Sequence, residues 1–207
     1  MIDRVIKAIS YIFHPLFMPL LGVTLYFSKT PRYIPDPIIK AKIFSITILT
    51  VVLPILLFYL LKTLKKVESV HLETTRERII PLILNGLITF ILVSRVITHN
   101  EIEELYYFFI GALCSTFACL ILAILKFKAS LHMVAASGFF MFAIAISIHF
   151  QININGTIAL LCIMLGAIAT SRLHLKAHTN SELIIGFLVD ISETKFLHSK
   201  NRGVWDD

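Results

Sequence analysis

The chain has 207 residues, 57% of them hydrophobic and 15% charged, and its mean hydropathy is +0.84. A soluble domain carries about a quarter charged residues, so this composition excludes an ordinary cytosolic enzyme, a disordered chain and a disulfide scaffold. An integral membrane protein is left, and a basic one, with a formal net charge of +6.

Charge-free stretches locate the membrane spans, since about 20 apolar residues cross the hydrocarbon layer. The first predicted span is Tyr11–Ser28. Pro15 and Pro19 should kink or delay it, which membrane helices tolerate where neighbours satisfy the freed carbonyls. It lacks a small-residue cleavage site, which argues against a removed signal peptide. The second is Ile43–Leu61 and the third Ile79–Ser94, a short span from whose end Arg95 can snorkel. The fourth is Leu105–Leu125. From Met133 to Ser171 there is no Asp, Glu, Lys or Arg in 39 residues. A single helix of that length would run roughly 58 Å, so the stretch must fold back as a hairpin. The polar patch from Gln151 through Asn153 and Asn155 to Gly156 supplies its turn. Leu183–Leu197 is a weaker apolar helix carrying Asp190, Glu193 and Lys195, followed by a polar tail. The expectation is an all-α polytopic membrane bundle of six clear spans plus a weaker C-terminal helix, in one domain over residues 1–207. Cys114, Cys119 and Cys162 all fall inside spans and read as packing residues. The single Trp205 decides nothing.

By parity, the loops at 65–78, 126–132 and 171–182 share one membrane face. They hold Arg76, Arg78, Lys126, Lys128, His132, Arg172, His174, Lys176, His178 and Glu182. That face carries eleven Lys and Arg against eight on the other. Without the six Lys and Arg just named the balance becomes five against eight, so the positive-inside rule alone does not orient the chain. Nor does that rule account for the histidines. Guanidinium and ammonium groups with histidines and one carboxylate make up the parts needed for phosphoryl transfer without a metal.

The strings themselves resemble a known family. Ser171-Arg172, five residues, His178, three residues and Glu182 is similar to the third motif of the type 2 phosphatidic acid phosphatases, S-R-x5-H-x3-D, with Glu for Asp. Lys128-Ala-Ser130-Leu-His132 resembles the second motif, P-S-G-H, without its Pro and Gly. Arg76-Glu77-Arg78-Ile-Ile-Pro81 is a partial match to the first, K-x6-R-P, with His71 at the Lys position and Lys128 or Arg76 as substitute cation. The motifs span about residues 71–190. The resemblance implies a membrane lipid phosphatase with His178 as nucleophile, Glu182 orienting it and His132 as general acid. Arg172, Arg78, Lys128, Ser130, Ser171 and Arg76 would bind the phosphate, with Lys176 and Arg76 standing between that role and simple solvation. His174 and His71 are spectators. No cofactor is required. The partner implied is a lipid phosphate or isoprenyl diphosphate among membrane lipids: phosphatidic acid, phosphatidylglycerol phosphate, an isoprenyl diphosphate or a lipid A phosphate. The compact loops suggest a bacterial inner membrane, and the family an outward-facing site.

Two other readings use the same residues. His174, His178 and Glu182 follow H-x3-H-x3-E, which on a continuous helix would present three zinc ligands on one face, although Arg172 and Lys176 would oppose a dication. Alternatively, a catalytically degenerate membrane protein would bind or carry a lipid phosphate. Basic groups confined to short loops at a membrane do not make a nucleic-acid-binding domain.

Overall fold

The computed structural model describes residues 2–66 and 74–189. His71, Asp190, Glu193, Lys195 and Trp205 lie outside the described residues, as does the part of the C-terminal helix expected beyond Val189. Among the described residues every regular element is helical: α1 (Ile2–Ile12), a 3₁₀ turn (Pro15–Phe17), α2 (Met18–Lys29), α3 (Asp36–Thr47), a π turn (Ile48–Val52), α4 (Leu53–Thr63), α5 (Thr75–Arg95), α6 (Glu103–Ile124), α7 (Leu131–His149) and α8 (Asn155–His174). A shorter apolar helix, α9 (Asn180–Val189), follows. Six helical stretches are long and apolar enough to cross a membrane: Ile6–Lys29, Asp36–Thr63, Thr75–Arg95, Glu103–Ile124, Leu131–His149 and Asn155–His174. The expected hairpin turn lies between α7 and α8.

Helix ends extend past the apolar stretches, because the chain goes on satisfying its backbone as a helix where polar side chains take over. Thr74 caps α5, its Oγ1 accepting the Glu77 N–H, and so draws Arg76 and Arg78 into the first turn of a helix where a loop to residue 78 was expected. His132 likewise lies in the first turn of α7, and Arg172 in the last turn of α8.

Backbone contacts divide the chain into two compact units, one from the residues up to Arg32 with those from Ser130 onward, the other from Tyr33–Ala129. In the first unit, α2 packs along α7, α7 along α8, and α1 on α8. Met18, Met133, Phe139, Leu161 and Ile168 form its core, and fully buried Ala136 and Ala143 let the helices approach closely. The predicted break in the first span falls at His14, whose backbone is extended (φ −68°, ψ 140°) as a residue preceding proline prefers. Pro15 starts the 3₁₀ turn, and Pro19 occupies the first turn of α2, where a missing N–H costs nothing.

In the second unit, α5 packs along α6, and Asn85 Nδ2 donates to Thr116 Oγ1 at 3.4 Å. The π turn precedes Pro54, with the Leu53 N–H reaching back to the Ile48 carbonyl. Its wider turn accommodates a proline that has no N–H and crowds the carbonyl four residues earlier. Lys42 donates to the Val96 carbonyl and to the Glu101 carboxylate. That hydrogen bond, first among several influences, holds the Glu101 carboxyl below the usual carboxylate range.

Four helices end alike. Lys65, Lys126, Gln151 and Lys176 adopt left-handed backbones, with φ of 54°, 62°, 52° and 51°. In each case the next residue donates five positions back: Lys66 to Leu61, Phe127 to Leu122, Ile152 to Ser147, and Ala177 to Arg172. This is the Schellman stop, normally built on glycine. Three of the four positions hold lysine, whose charge suits the negative end of the helix dipole.

Candidate functional site

Around α9, Thr179 and Glu182 close a capping box. The Glu182 N–H donates to Thr179 Oγ1 at 3.4 Å, and the Thr179 N–H donates to Glu182 Oε2 at 3.1 Å. The helix therefore starts at Asn180, and His178 lies before it. A spacing of four would join His178 and Glu182 across a helical face, but here they meet because the cap turns the carboxylate back. His178 Nδ1 lies 2.8 Å from the same Glu182 Oε2, with the imidazole side chain 2% exposed. A carboxylate at Nδ1 fixes the proton there and leaves the lone pair on Nε2.

Backbone contact joins this turn to α7. The Ser130 N–H donates to the Glu182 carbonyl at 3.2 Å. Gly186 faces the same residue so closely that a Cβ there would stand 3.0 Å from the Ser130 carbonyl oxygen. Glycine at this position thus permits an unusually close approach of α9 to Ser130. Ser130 itself is fully buried, and its Oγ has no hydrogen-bond partner among the described residues.

His132, two positions on, places Nε2 3.3 Å from the Ser10 carbonyl, and His14 stands edge-on to its ring with centroids 5.5 Å apart. Arg172, His14 and His178 all lie within electrostatic reach of His132. Arg172 is buried. Its Nη1 donates to Ser10 Oγ at 3.4 Å, while its Nε has no partner among the described residues. Ser171 Oγ donates to the Ile6 carbonyl at 2.8 Å and lies 2.8 Å from Ser10 Oγ, so its hydroxyl proton is committed to holding α1.

The first unit thus brings together His178, Glu182, His132, Ser130, Ser171 and Arg172. A buried polar group left unpaired costs about 1–3 kcal/mol, and the two here, a hydroxyl and a guanidinium N–H, are both donors that an anion's oxygens can satisfy. Ser10 and His14 belong to the cluster as well, although nothing in their local sequence marks them. Thr179 was readable, since T-x-x-E before an apolar run is a helix-start signal.

Arg76, Arg78 and Lys128 belong to the second unit. Arg78 is buried and donates from Nη1 to the Ala129 carbonyl at 2.8 Å. Arg76 is exposed and Lys128 half-buried. Lys126 and Lys176 have a local reason for their positions, the helix stops described above.

The zinc geometry fails on its premise. The helix that would align His174, His178 and Glu182 ends at His174, whose Nε2 pairs with Asp3 Oδ1 at 2.9 Å. Among the described residues no group of three or more His, Cys, Asp or Glu side chains is placed to hold a metal ion.

No protein-family model, curated protein or solved structure matches this chain.

Proposed function

We propose that the chain is a membrane-embedded lipid phosphatase of the type 2 phosphatidic acid phosphatase kind, acting on a lipid phosphomonoester or diphosphate through a phosphohistidine. The observation that carries this reading is the 2.8 Å pair of buried His178 and half-buried Glu182, with His132 within electrostatic reach of both His178 and Arg172. The groups of the first unit suffice for the chemistry. His178 Nε2 attacks phosphorus as Glu182 stabilises the charge developing on the ring. The P–O bond to the lipid breaks, its electron pair leaves on oxygen, and His132 supplies that oxygen with a proton. Arg172 and the Ser130 hydroxyl donate to non-bridging oxygens, where charge accumulates in the transition state. Water then attacks the phosphohistidine, releasing phosphate and restoring the imidazole. An outward-facing site in a bacterial inner membrane is part of the same proposal.

The test is phosphate release by purified protein from several lipid phosphates, wild type against His178→Ala, with vanadate and chelator arms. The expected result is turnover that vanadate inhibits, chelators spare and the substitution abolishes. Equal release from both proteins would overturn the reading. One observation favours a binding protein without turnover: the capping box gives the Glu182 carboxylate a structural use beside its contact with His178. Saturable lipid-phosphate binding without release would establish that second reading.

A further inference from the structure

We propose that Ser10 is a positioning residue that sets the proton donor and the phosphate clamp together, an inference that rests on the phosphatase reading. Ser10 lies in the last turns of α1, buried and 161 positions from Ser171. Its two polar groups serve two different helices. Its carbonyl faces His132 Nε2 on α7, and its hydroxyl takes the Arg172 Nη1–H from α8.

The sequence explains why that carbonyl is available. In a continuing helix it would accept the N–H of residue 14, but His14 is extended because proline follows, and α1 stops. The freed carbonyl can only accept, so it requires a hydrogen on His132 Nε2. The hydroxyl is fixed just as firmly. Ser171 gives its proton to the Ile6 carbonyl, so Ser10 must donate to Ser171 Oγ, which leaves the Ser10 lone pairs for Arg172. The run Arg172 to Ser10 to Ser171 to Ile6 uses each donor once.

A proton assignment follows. With Nε2–H held by Ser10, the proton for the leaving oxygen must come from His132 Nδ1. The ring takes up a proton at Nδ1 to become imidazolium, gives it to the oxygen as the P–O bond breaks, and returns to the neutral form still bonded to Ser10. His178 has the opposite arrangement, with Nδ1 held and Nε2 reacting.

A residue acting through the acid affects substrates according to how much their leaving groups need a proton. Full-length protein in detergent is assayed on a short-chain phosphatidic acid, whose alkoxide must be protonated, and on p-nitrophenyl phosphate, whose phenolate leaves unaided. Ser10→Ala keeps the carbonyl but removes the hydroxyl's bonds to Ser171 and Arg172, so the end of α1 that carries the carbonyl is no longer fixed against α8. It is expected to lower kcat roughly 10- to 100-fold on the lipid, the scale of a misplaced reacting group, with a several-fold smaller loss on the aryl ester. Ser10→Thr, which keeps the hydroxyl, is expected to restore most of the loss. Should Ser10→Ala fail to fold, Ser171→Ala removes the partner of the Ser10 hydroxyl and is expected to show the same substrate selectivity more weakly. Equal loss on both substrates, or none, with an active wild type overturns this proposal and leaves the phosphatase reading standing. A wild type that neither turns over these substrates nor binds vanadate overturns both.

Discussion

Replacing Gly186 by alanine adds one methyl group where α9 meets the start of α7 backbone to backbone. The new Cβ would stand 3.0 Å from the Ser130 carbonyl oxygen and 3.3 Å from both the Ser130 nitrogen and Met133 Cβ. Comfortable contacts begin near 3.4–3.5 Å, so the helices must part by about 0.4 Å. No flexible side-chain end can absorb this, because two of the three neighbours are backbone. The bond from the Ser130 N–H to the Glu182 carbonyl, now 3.2 Å, would lengthen to about 3.6 Å, beyond useful range. Its loss costs about 0.5–1.5 kcal/mol and overpacking about 1–3, against a gain of about 1 from replacing a helical glycine. The expected net is about 1–3 kcal/mol of destabilisation. At about 2–4 °C per kcal/mol, a melt in detergent should fall by several degrees. His178 and His132 stand on opposite sides of this seam, so turnover should also fall, on the order of 10-fold. An alanine variant that melts higher than wild type with unchanged turnover would refute the claim that this close approach fixes the site.

Two further substitutions separate chemistry from architecture. Glu182→Gln keeps a residue able to close the capping box but withdraws the negative charge from His178. Its melt should stay close to that of wild type while kcat falls about 10²–10⁴-fold, and unchanged turnover would make the carboxylate purely structural. Lys176→Gly should leave turnover within about twofold and raise stability by up to about 1 kcal/mol, relief of the left-handed backbone outweighing the lost dipole contact. A tenfold loss of turnover, measured beside the melt, would instead return Lys176 to a phosphate-binding role.

The spans were legible because the membrane imposes a simple rule: a charge inside a span is costly, so its absence marks the helix. The same rule says little about helix ends. There, local backbone chemistry decides, through the Thr74 cap, the Thr179–Glu182 box and the left-handed lysines, and it moved Arg76, Arg78, His132 and Arg172 from expected loops into helices. Within the site, His178 and Glu182 could be read from a spacing of four, although the contact arises from a cap and not from a helical turn. Ser10 and His14 could not. A lone serine and a lone histidine in a greasy N-terminal stretch look like any other apolar-segment residues, and the site residues they touch lie more than a hundred positions away. The excess of positive charge also divides once the structure is known. Arg172 fits an anion site, while Lys126 and Lys176 are where a helix must stop.

The bond between Ser10 and Ser171 also bears on how the protein is made. The two residues are 161 positions apart, so at ~5–20 residues per second about 8–30 s separate their synthesis. All of Tyr33–Ala129, the second compact unit, emerges in that interval. The first helix must meanwhile wait with Ser10 and Ile6 unpaired, held where water or lipid headgroups can serve them. Assembly of the first unit is therefore the closing event of biogenesis, and the sites of nascent-chain arrest that permit or forbid it should flank α8.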